Sequence, residues 1–282
     1  MLSKALEAVL NQSRSDLFSF EVVIVDNDKK RSAEDTTRIF QSYTDITITY
    51  TCEPEQNIAL ARNRAVHKAG GNYIAFIDDD EFPINDWLIK LYSCLHEYQA
   101  DSVLGPVVPD YLPGTPSWLI KSGFCDRRRI PTGSEITNKD KRTGNILLKR
   151  CLFEQGAPWF DPARGLTGGE DSDFISRQMR KGRKFIWCNE AVVYETVVEA
   201  RWTTSYYLNR SFRSGTISAK IARKQKAVFS VFKAVLLLGI ANIILPFSFL
   251  TGKHNWMKIL TRILYHAGFL LSYTGLVDAR LR

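Results

Sequence analysis

The feature that most limits what this chain can fold into is an alternation of two kinds of segment over its first 110 residues. Phe20–Val25 (FEVVIV), Ile46–Cys52 (ITITYTC), Tyr73–Ile77 (YIAFI) and Ser102–Val108 are short and rich in β-branched or apolar residues, the pattern of strands. Between them, residues 33–43, Ile58–Ala69 and Trp87–Tyr98 have helical spacing, with Gly70-Gly71 as a stop and Asn85 or Asp86 as a cap. A further helix at the start, capped by Ser3, places Leu6, Val9 and Leu10 on one face. Strands alternating with helices predict an α/β fold whose mostly parallel sheet is covered on both faces. After Pro109 the pattern weakens into a loop region, 109–143, marked by four prolines and by Arg127-Arg128-Arg129; loops this long in a compact domain are usually functional. Ile146–Leu148, Asp171–Lys181 and Lys184–Tyr194 then read as strand, helix and strand.

The last 82 residues are of a different kind. Residues 1–200 carry 25 Lys+Arg against 29 Asp+Glu, whereas residues 201–282 carry 13 against the single acid Asp278. The net charge of +8 is therefore the sum of −4 and +12. Residues 234–252 hold no charge, about the length a membrane-crossing helix needs, with Pro246 as a kink. Ile259–Val277 is amphipathic, interrupted by Arg262 and His266, and either spans or lies in the interface. Arg201, Arg210, Arg213, Lys220, Arg223, Lys224 and Lys226 precede these runs without an acid, which suits the anionic cytoplasmic face of a membrane. The alternative is a buried helix pair beside a solvated basic helix. The division expected is 1–200 for a catalytic domain and 201–282 for a membrane-associated helical segment, and cutting after about residue 226 is expected to release the protein from membranes. Nucleic acid is a poor explanation of the positive charge, because the cations adjoin apolar runs rather than stacking aromatics. The five cysteines are scattered and fit no zinc spacing, and the first 16 residues lack the apolar core of a secretory signal.

Three acidic groups carry candidate chemistry. Asp78-Asp79-Asp80-Glu81 follows a strand, where ligands of parallel α/β sheets bind. Four adjacent carboxylates repel one another unless a cation neutralises them, and Mg²⁺ or Mn²⁺ held by one or two carboxylates plus substrate phosphates answers that need; a solvated acidic turn is the plain alternative. Gly168-Gly169-Glu170-Asp171-Ser172-Asp173 lets backbone approach a ligand and places acids at a helix start, either for the helix dipole or as a general base. Asp26, in Val25-Asp26-Asn27-Asp28, is a turn residue or a hydrogen-bond acceptor for a base or ribose. Arg62 and Arg64 flank the strand that leads to the acids, either as anion-binding forks or as surface cations.

Taken in order, EVVIVDND (21–28), NIALARNRAV (57–66), GNYIAFIDDDEFP (71–83), TGNILLKR (143–150), PWFDPARGLTGGEDSDF (158–174), WCNEAVVYETV (187–197) and RWTTSYYLNRSFRSG (201–215) resemble an inverting family 2 glycosyltransferase of GT-A fold. The details are similar to the bacterial enzymes that extend lipid-linked exopolysaccharide repeats, such as succinoglycan-type glucosyltransferases. The resemblance implies a UDP-sugar or similar nucleotide-sugar donor, a lipid-linked oligosaccharide acceptor, and a Mg²⁺ or Mn²⁺ ion at the cytoplasmic face of the inner membrane. By position it implies Asp80 as metal ligand and Asp78 as metal or ribose contact, with Asp79 beside them. It implies Asp26 and Arg62 as nucleobase contacts, Asp171 with Glu170 as the base, Arg210 and Arg213 near the leaving diphosphate, and Asn145 and Trp159 on the acceptor side. Members of the family begin with an apolar strand that is central in the sheet, whereas Met1 here stands in the helix that follows it; weak activity and a destabilised fold are therefore expected. The alternatives are a sugar nucleotidyltransferase, and an impaired remnant acting as a membrane-attached scaffold.

Overall fold

The computed structural model describes all residues except Tyr43, Gln155, Leu166, Thr167, Gln225, Lys226 and 278–282. Lys226, Asp278, Arg280 and Arg282 of the charge count, and Leu166-Thr167 just before the Gly-Gly-Glu-Asp motif, lie outside the described residues. The chain forms two units, one of residues 1–110 with 127–196 and the other of 111–126 with 197–282.

The first unit is α/β. Helix α1 (Leu2–Leu10) buries Ala5, Leu6 and Val9. Its N-cap is Met1, so Ser3 lies inside the first turn instead of capping it. Strand β1 (Val22–Asp26) pairs in parallel with β2 (Ile48–Cys52), flanked by α2 (Glu34–Gln41). Helix α3 (Ile58–Lys68) leads to β3 (Tyr73–Phe76), β4 (Glu81–Pro83) and α4 (Trp87–Glu97). The segment read as one strand at 102–108 is two, β5 (Ser102–Leu104) and β6 (Val107–Tyr111), broken at Gly105-Pro106. Here the Pro106 carbonyl leaves the β5 ladder and accepts the amide of Val193. After α5 (Ser117–Ser122), a helix inside the expected loop, come β7 (Ile146–Lys149), α6 (Glu170–Arg180), β8 (Phe185–Trp187) and β9 (Val193–Val197).

The sheets run β1-β2, β3-β7-β5-β8 and β4-β9-β6. The α/β class holds, but the four-stranded sheet is mixed: β7 is antiparallel to both β3 and β5, while β5 and β8 are parallel. The cause is the long connection after β6, which brings β7 back between two earlier strands from the opposite direction. Such a strand carries no period that separates it from a parallel one, because both its faces are buried (Ile146, Leu147 and Leu148 are all in the core). One core, with Leu104, Ile146, Leu148, Phe160, Phe174, Phe185 and Trp187, lies under α3 and α6. Another, with Trp87, Leu91, Leu95, Val103 and Ile186, lies under α4. The strand β1 is only half-buried along Val22–Val25, and a cavity of about 1160 Å³ is lined by residues of both β1 and β3.

The second unit is helical: α5, α7 (Thr204–Lys224), α8 (Val228–Leu250) and α9 (Lys253–Tyr273). Trp118, Leu119, Val197, Tyr207 and Met257 form its core at one end, and Ala219, Ala222, Ala234 and Phe269 at the other. Helices α7 and α9 touch backbone to backbone through glycines. A Cβ on Gly215 would stand 2.0 Å from the Tyr265 carbonyl oxygen, and one on Gly268 would stand 2.5 Å from that of Phe212.

Candidate active site

The polar face of α3 organises the first unit's cleft. Asn57 caps the helix, its Oδ1 accepting from the amides of Ala59 (3.0 Å) and Leu60 (3.4 Å), which satisfies donors that a helix start leaves free. Its Nδ2 donates to the Pro162 carbonyl at 2.9 Å. Gly165 packs so tightly there that a Cβ would fall 1.6 Å from Asn57 Oδ1. Asn63 accepts from the amides of Trp159 (3.1 Å) and Phe160 (3.0 Å) and donates to the Phe160 carbonyl (2.8 Å). Two asparagines thus fix segment 159–165, which leads into Gly168 and Gly169. Both of these have positive φ, +83° and +93°, a conformation that glycine adopts at no steric cost.

Arg62 lies between the two acidic motifs. Its guanidinium is bonded to Glu170 and stands 3.6 Å from Asp78. The Arg62 and Glu170 side chains are 13% and 5% exposed, so this is a buried ion pair of the kind whose disruption costs about 3–5 kcal/mol. Asp26, Arg62, Asp78 and Asp79 line the same cavity beside β1 and β3. Asp26 is buried and already accepts from the Asp28 amide (3.0 Å), the Ala33 amide (2.8 Å) and the Tyr50 hydroxyl (3.0 Å), so it shapes the loop after β1. Asp80 is half-buried, and its carbonyl accepts from the Thr196 amide at 3.2 Å. Asp171 is half-buried in the first turn of α6, accepting from the Ser172 amide at 2.6 Å.

Sequence reasoning missed a charged cluster behind the triplet. Glu81 is 1% exposed; burial first, then repulsion from Asp78, push its carboxyl up to about 8. Its Oε2 accepts from the Asp78 amide at 3.3 Å, while Oε1 has no hydrogen-bond partner. Asp78 is also raised, by desolvation that outweighs the attraction of Arg62 and Arg127. Arg127 pairs with Glu195 and stands 4.0 Å from Glu81. Arg142 lies over the Trp187 ring at 5.5 Å, with Nε and one terminal nitrogen unpartnered; burial, then Arg127, lower its pKa to about 10. Gly144 allows the carboxylates this close: a Cβ there would lie 2.9 Å from Glu81 Oε1 and 3.1 Å from Asp78 Oδ2. Glu81 was legible as the fourth acid of the run, but Arg142 had no spacing to mark it.

This arrangement, carboxylates and guanidiniums alternating past the end of β3 and beside the middle of α3, suits an anionic ligand and a cation together. The description "Glycosyl transferase family 2" matches residues 1–154, more than half the chain. The chain belongs to glycosyl transferase family 2. The succinoglycan biosynthesis protein ExoM of Rhizobium meliloti is 30% identical over 223 residues, 78% of this chain and 71% of that protein. The glucosyl-dolichyl phosphate glucuronosyltransferase of Haloferax volcanii is 27% identical, over 76% of this chain and 70% of that one. Among solved structures, S. aureus TarS 1–349 in complex with UDP aligns with TM-score 0.51 at 14% identity, covering 97% of this chain and 88% of that one, which shows the GT-A-like fold. The family excludes the nucleotidyltransferase alternative.

Of the two expected acceptor contacts, Asn145 is committed elsewhere, and Trp159 is half-buried with its indole N–H committed. Asn145 is fully buried: its Oδ1 accepts from Trp87 Nε1 (2.7 Å) and its Nδ2 donates to the carbonyls of Pro106 (2.8 Å) and Ala191 (2.7 Å). Trp159 donates its indole N–H to the Phe153 carbonyl at 2.7 Å and packs against His67 and Phe153. Arg210 and Arg213 are exposed on α7 of the second unit. Among the described residues no three His, Cys, Asp or Glu side chains form a metal-binding group.

Proposed function

We propose that this glycosyltransferase moves a sugar from a nucleoside-diphosphate sugar, UDP-linked, to a saccharide of a lipid-linked polysaccharide intermediate, with inversion, at the cytoplasmic face of the membrane. The observation that carries the reading is Arg62, whose single guanidinium joins the acidic run after β3 to Glu170 beside Asp171. A relative that serves succinoglycan biosynthesis and a structural neighbour solved with UDP support the substrate classes.

The donor site fits a divalent cation of the kind that takes one or two carboxylates and completes its shell with substrate phosphates. Asp78 and Asp80 would hold it, beside the buried Glu81 oxygen that has no hydrogen-bond partner. Bound there, the ion would neutralise diphosphate charge. Arg62 offers a fixed fork near the same anion. Glu170 is committed to Arg62, which leaves Asp171 as the carboxylate to take the acceptor hydroxyl's proton. Direct attack of that hydroxyl on the anomeric carbon then expels nucleoside diphosphate and inverts the centre.

The test is nucleoside diphosphate release with a panel of donors, together with binding of UDP. Asp171→Asn is expected to keep UDP affinity and lose transfer. Asp80→Asn is expected to lose the Mn²⁺-dependent part of UDP affinity. Unchanged transfer by Asp171→Asn rejects the base, and metal-independent UDP binding by the parent chain rejects the cation. UDP binding without any transfer favours the impaired remnant.

A further inference from the structure

The helix α8 is long and apolar enough to cross a membrane by length and composition. Its neighbours argue against crossing. At about 1.5 Å per residue, α7, α8 and α9 are each about 31–35 Å long. Helix α9 packs against both α7 and α8. Met257, near the start of α9, shares a cluster with Tyr207 near the start of α7, and Phe269 shares one with Ala219 and Ala234. The Ser272 hydroxyl reaches the Thr216 carbonyl at 3.4 Å. Helix α9 therefore lies against α7 over the stretch Tyr207–Thr216 and against α8 on its other side, and the end of α8 returns to the level of Trp118, whose ring lies 5.3 Å from Lys253 Nζ.

If α8 spanned the bilayer, α9 and α7 would occupy the same depths. They carry Lys258 and Arg262 on one and Arg210 and Arg213 on the other, and charged side chains in hydrocarbon are strongly disfavoured. The core around Trp118 and Leu119 of α5 would be drawn in with them. The exposure of α8 fits a different placement. Only Ala234, Ala241 and Ser248 are buried, seven residues apart, so a stripe of small side chains seats the helix on α9. Phe229, Phe232, Ile243, Phe247, Phe249 and Leu250 are each 66% exposed or more, an accumulation of exposed apolar side chains that marks an interaction surface. Cations flank both its ends, Arg223 and Lys233 at one and Lys253 and Lys258 at the other, complementary to anionic headgroups.

We infer that α8 lies in the plane of one anionic leaflet as a monotopic anchor, with both of its ends on the same side of the membrane. This rests on the reading of the chain as membrane-bound. The test brackets α8 with Arg223→Cys and Thr251→Cys, both exposed positions, in the full chain expressed in bacteria. A membrane-impermeant maleimide is applied to spheroplasts and to inverted vesicles, and peptide mass spectrometry locates the label apart from the native cysteines. Both positions are expected to react in inverted vesicles and neither in spheroplasts. Reaction of Thr251→Cys in spheroplasts overturns the in-plane placement and leaves membrane binding intact. Recovery of the chain in the soluble fraction instead overturns membrane binding itself. With purified protein, Phe232→Glu with Phe247→Glu is expected to weaken binding to phosphatidylethanolamine–phosphatidylglycerol vesicles at least tenfold. Unchanged vesicle binding, or a dimer that the same pair dissolves in the absence of lipid affinity, rejects the leaflet as the occupant of this face.

Discussion

Replacing Asn145 separates a scaffold from a substrate contact. Its amide serves three buried partners: the Trp87 indole N–H and the carbonyls of Pro106 and Ala191. Asn145→Ala strands two of them, the Trp87 indole N–H and the Ala191 carbonyl, while the Pro106 carbonyl keeps the Val193 amide, and each unsatisfied buried group costs about 1–3 kcal/mol. Asn145 also has φ +59°, which a residue other than Gly, Asn or Asp holds at a penalty of about 1–2 kcal/mol. The total for Asn145→Ala is then about 3–8 kcal/mol, comparable with the whole stability of many domains. Asn145→Gly loses the same hydrogen bonds without the backbone penalty and should be about 1 kcal/mol less damaging. Asn145→Asp keeps the acceptor for Trp87 but turns an oxygen toward two carbonyl oxygens, so it should be no better than Gly. Urea unfolding followed by tryptophan fluorescence reports the order, because Trp87 is one of the partners. A wild-type urea midpoint for Asn145→Ala, with activity lost, would falsify the scaffold role and restore Asn145 to the acceptor side.

Other outcomes follow from the same geometry. Arg62→Met should destabilise the first unit by about 3–5 kcal/mol through the stranded Glu170, and Arg62→Met with Glu170→Met should recover most of it in thermal melts. Glu81 has a folded pKa of about 8, above its ordinary value of 4.5, so its favourable contribution is complete below pH 4.5 and is lost as pH rises through 8. Glu81→Gln should therefore flatten the fall of the unfolding midpoint over that window, and an unaltered pH profile rejects the burial argument. Gly165→Ala should displace Asn57 from its cap and cost at least the ~1 kcal/mol of a lost N-cap, measured by chemical denaturation. Gly215→Val should part α7 from α9, so that proteolysis of the second unit speeds up while the melt of the first is unchanged.

Much of this site was legible before the structure, for identifiable reasons. Asp78–Asp80 and Glu170-Asp171 stood out because clustered carboxylates are costly and so carry information. The strands β1 and β3 were legible because buried strands are continuous apolar runs. The break at Gly105-Pro106 was not, since no local propensity shows a chain leaving one sheet for another. The sequence around Asn145 does not show its role, because its partners lie 39 to 58 residues away along the chain. The sequence singles out Arg62, but its partner Glu170 lies 108 residues on, a distance no periodicity spans.

The middle position of α9 has a practical consequence for handling the protein. Cutting the chain after residue 226 removes the apolar helix, but it also removes Met257 from the cluster with Trp118 and Tyr207 and leaves Gly215 facing nothing. Such a fragment would exchange a lipid-seeking helix for an uncovered aromatic core, and would be recovered as aggregate. A water-soluble enzyme is better sought by keeping all three helices and recolouring the outward positions of α8, such as Phe229, Ile243 and Leu250, with Glu and Lys, while leaving Ala234, Ala241 and Ser248 in place.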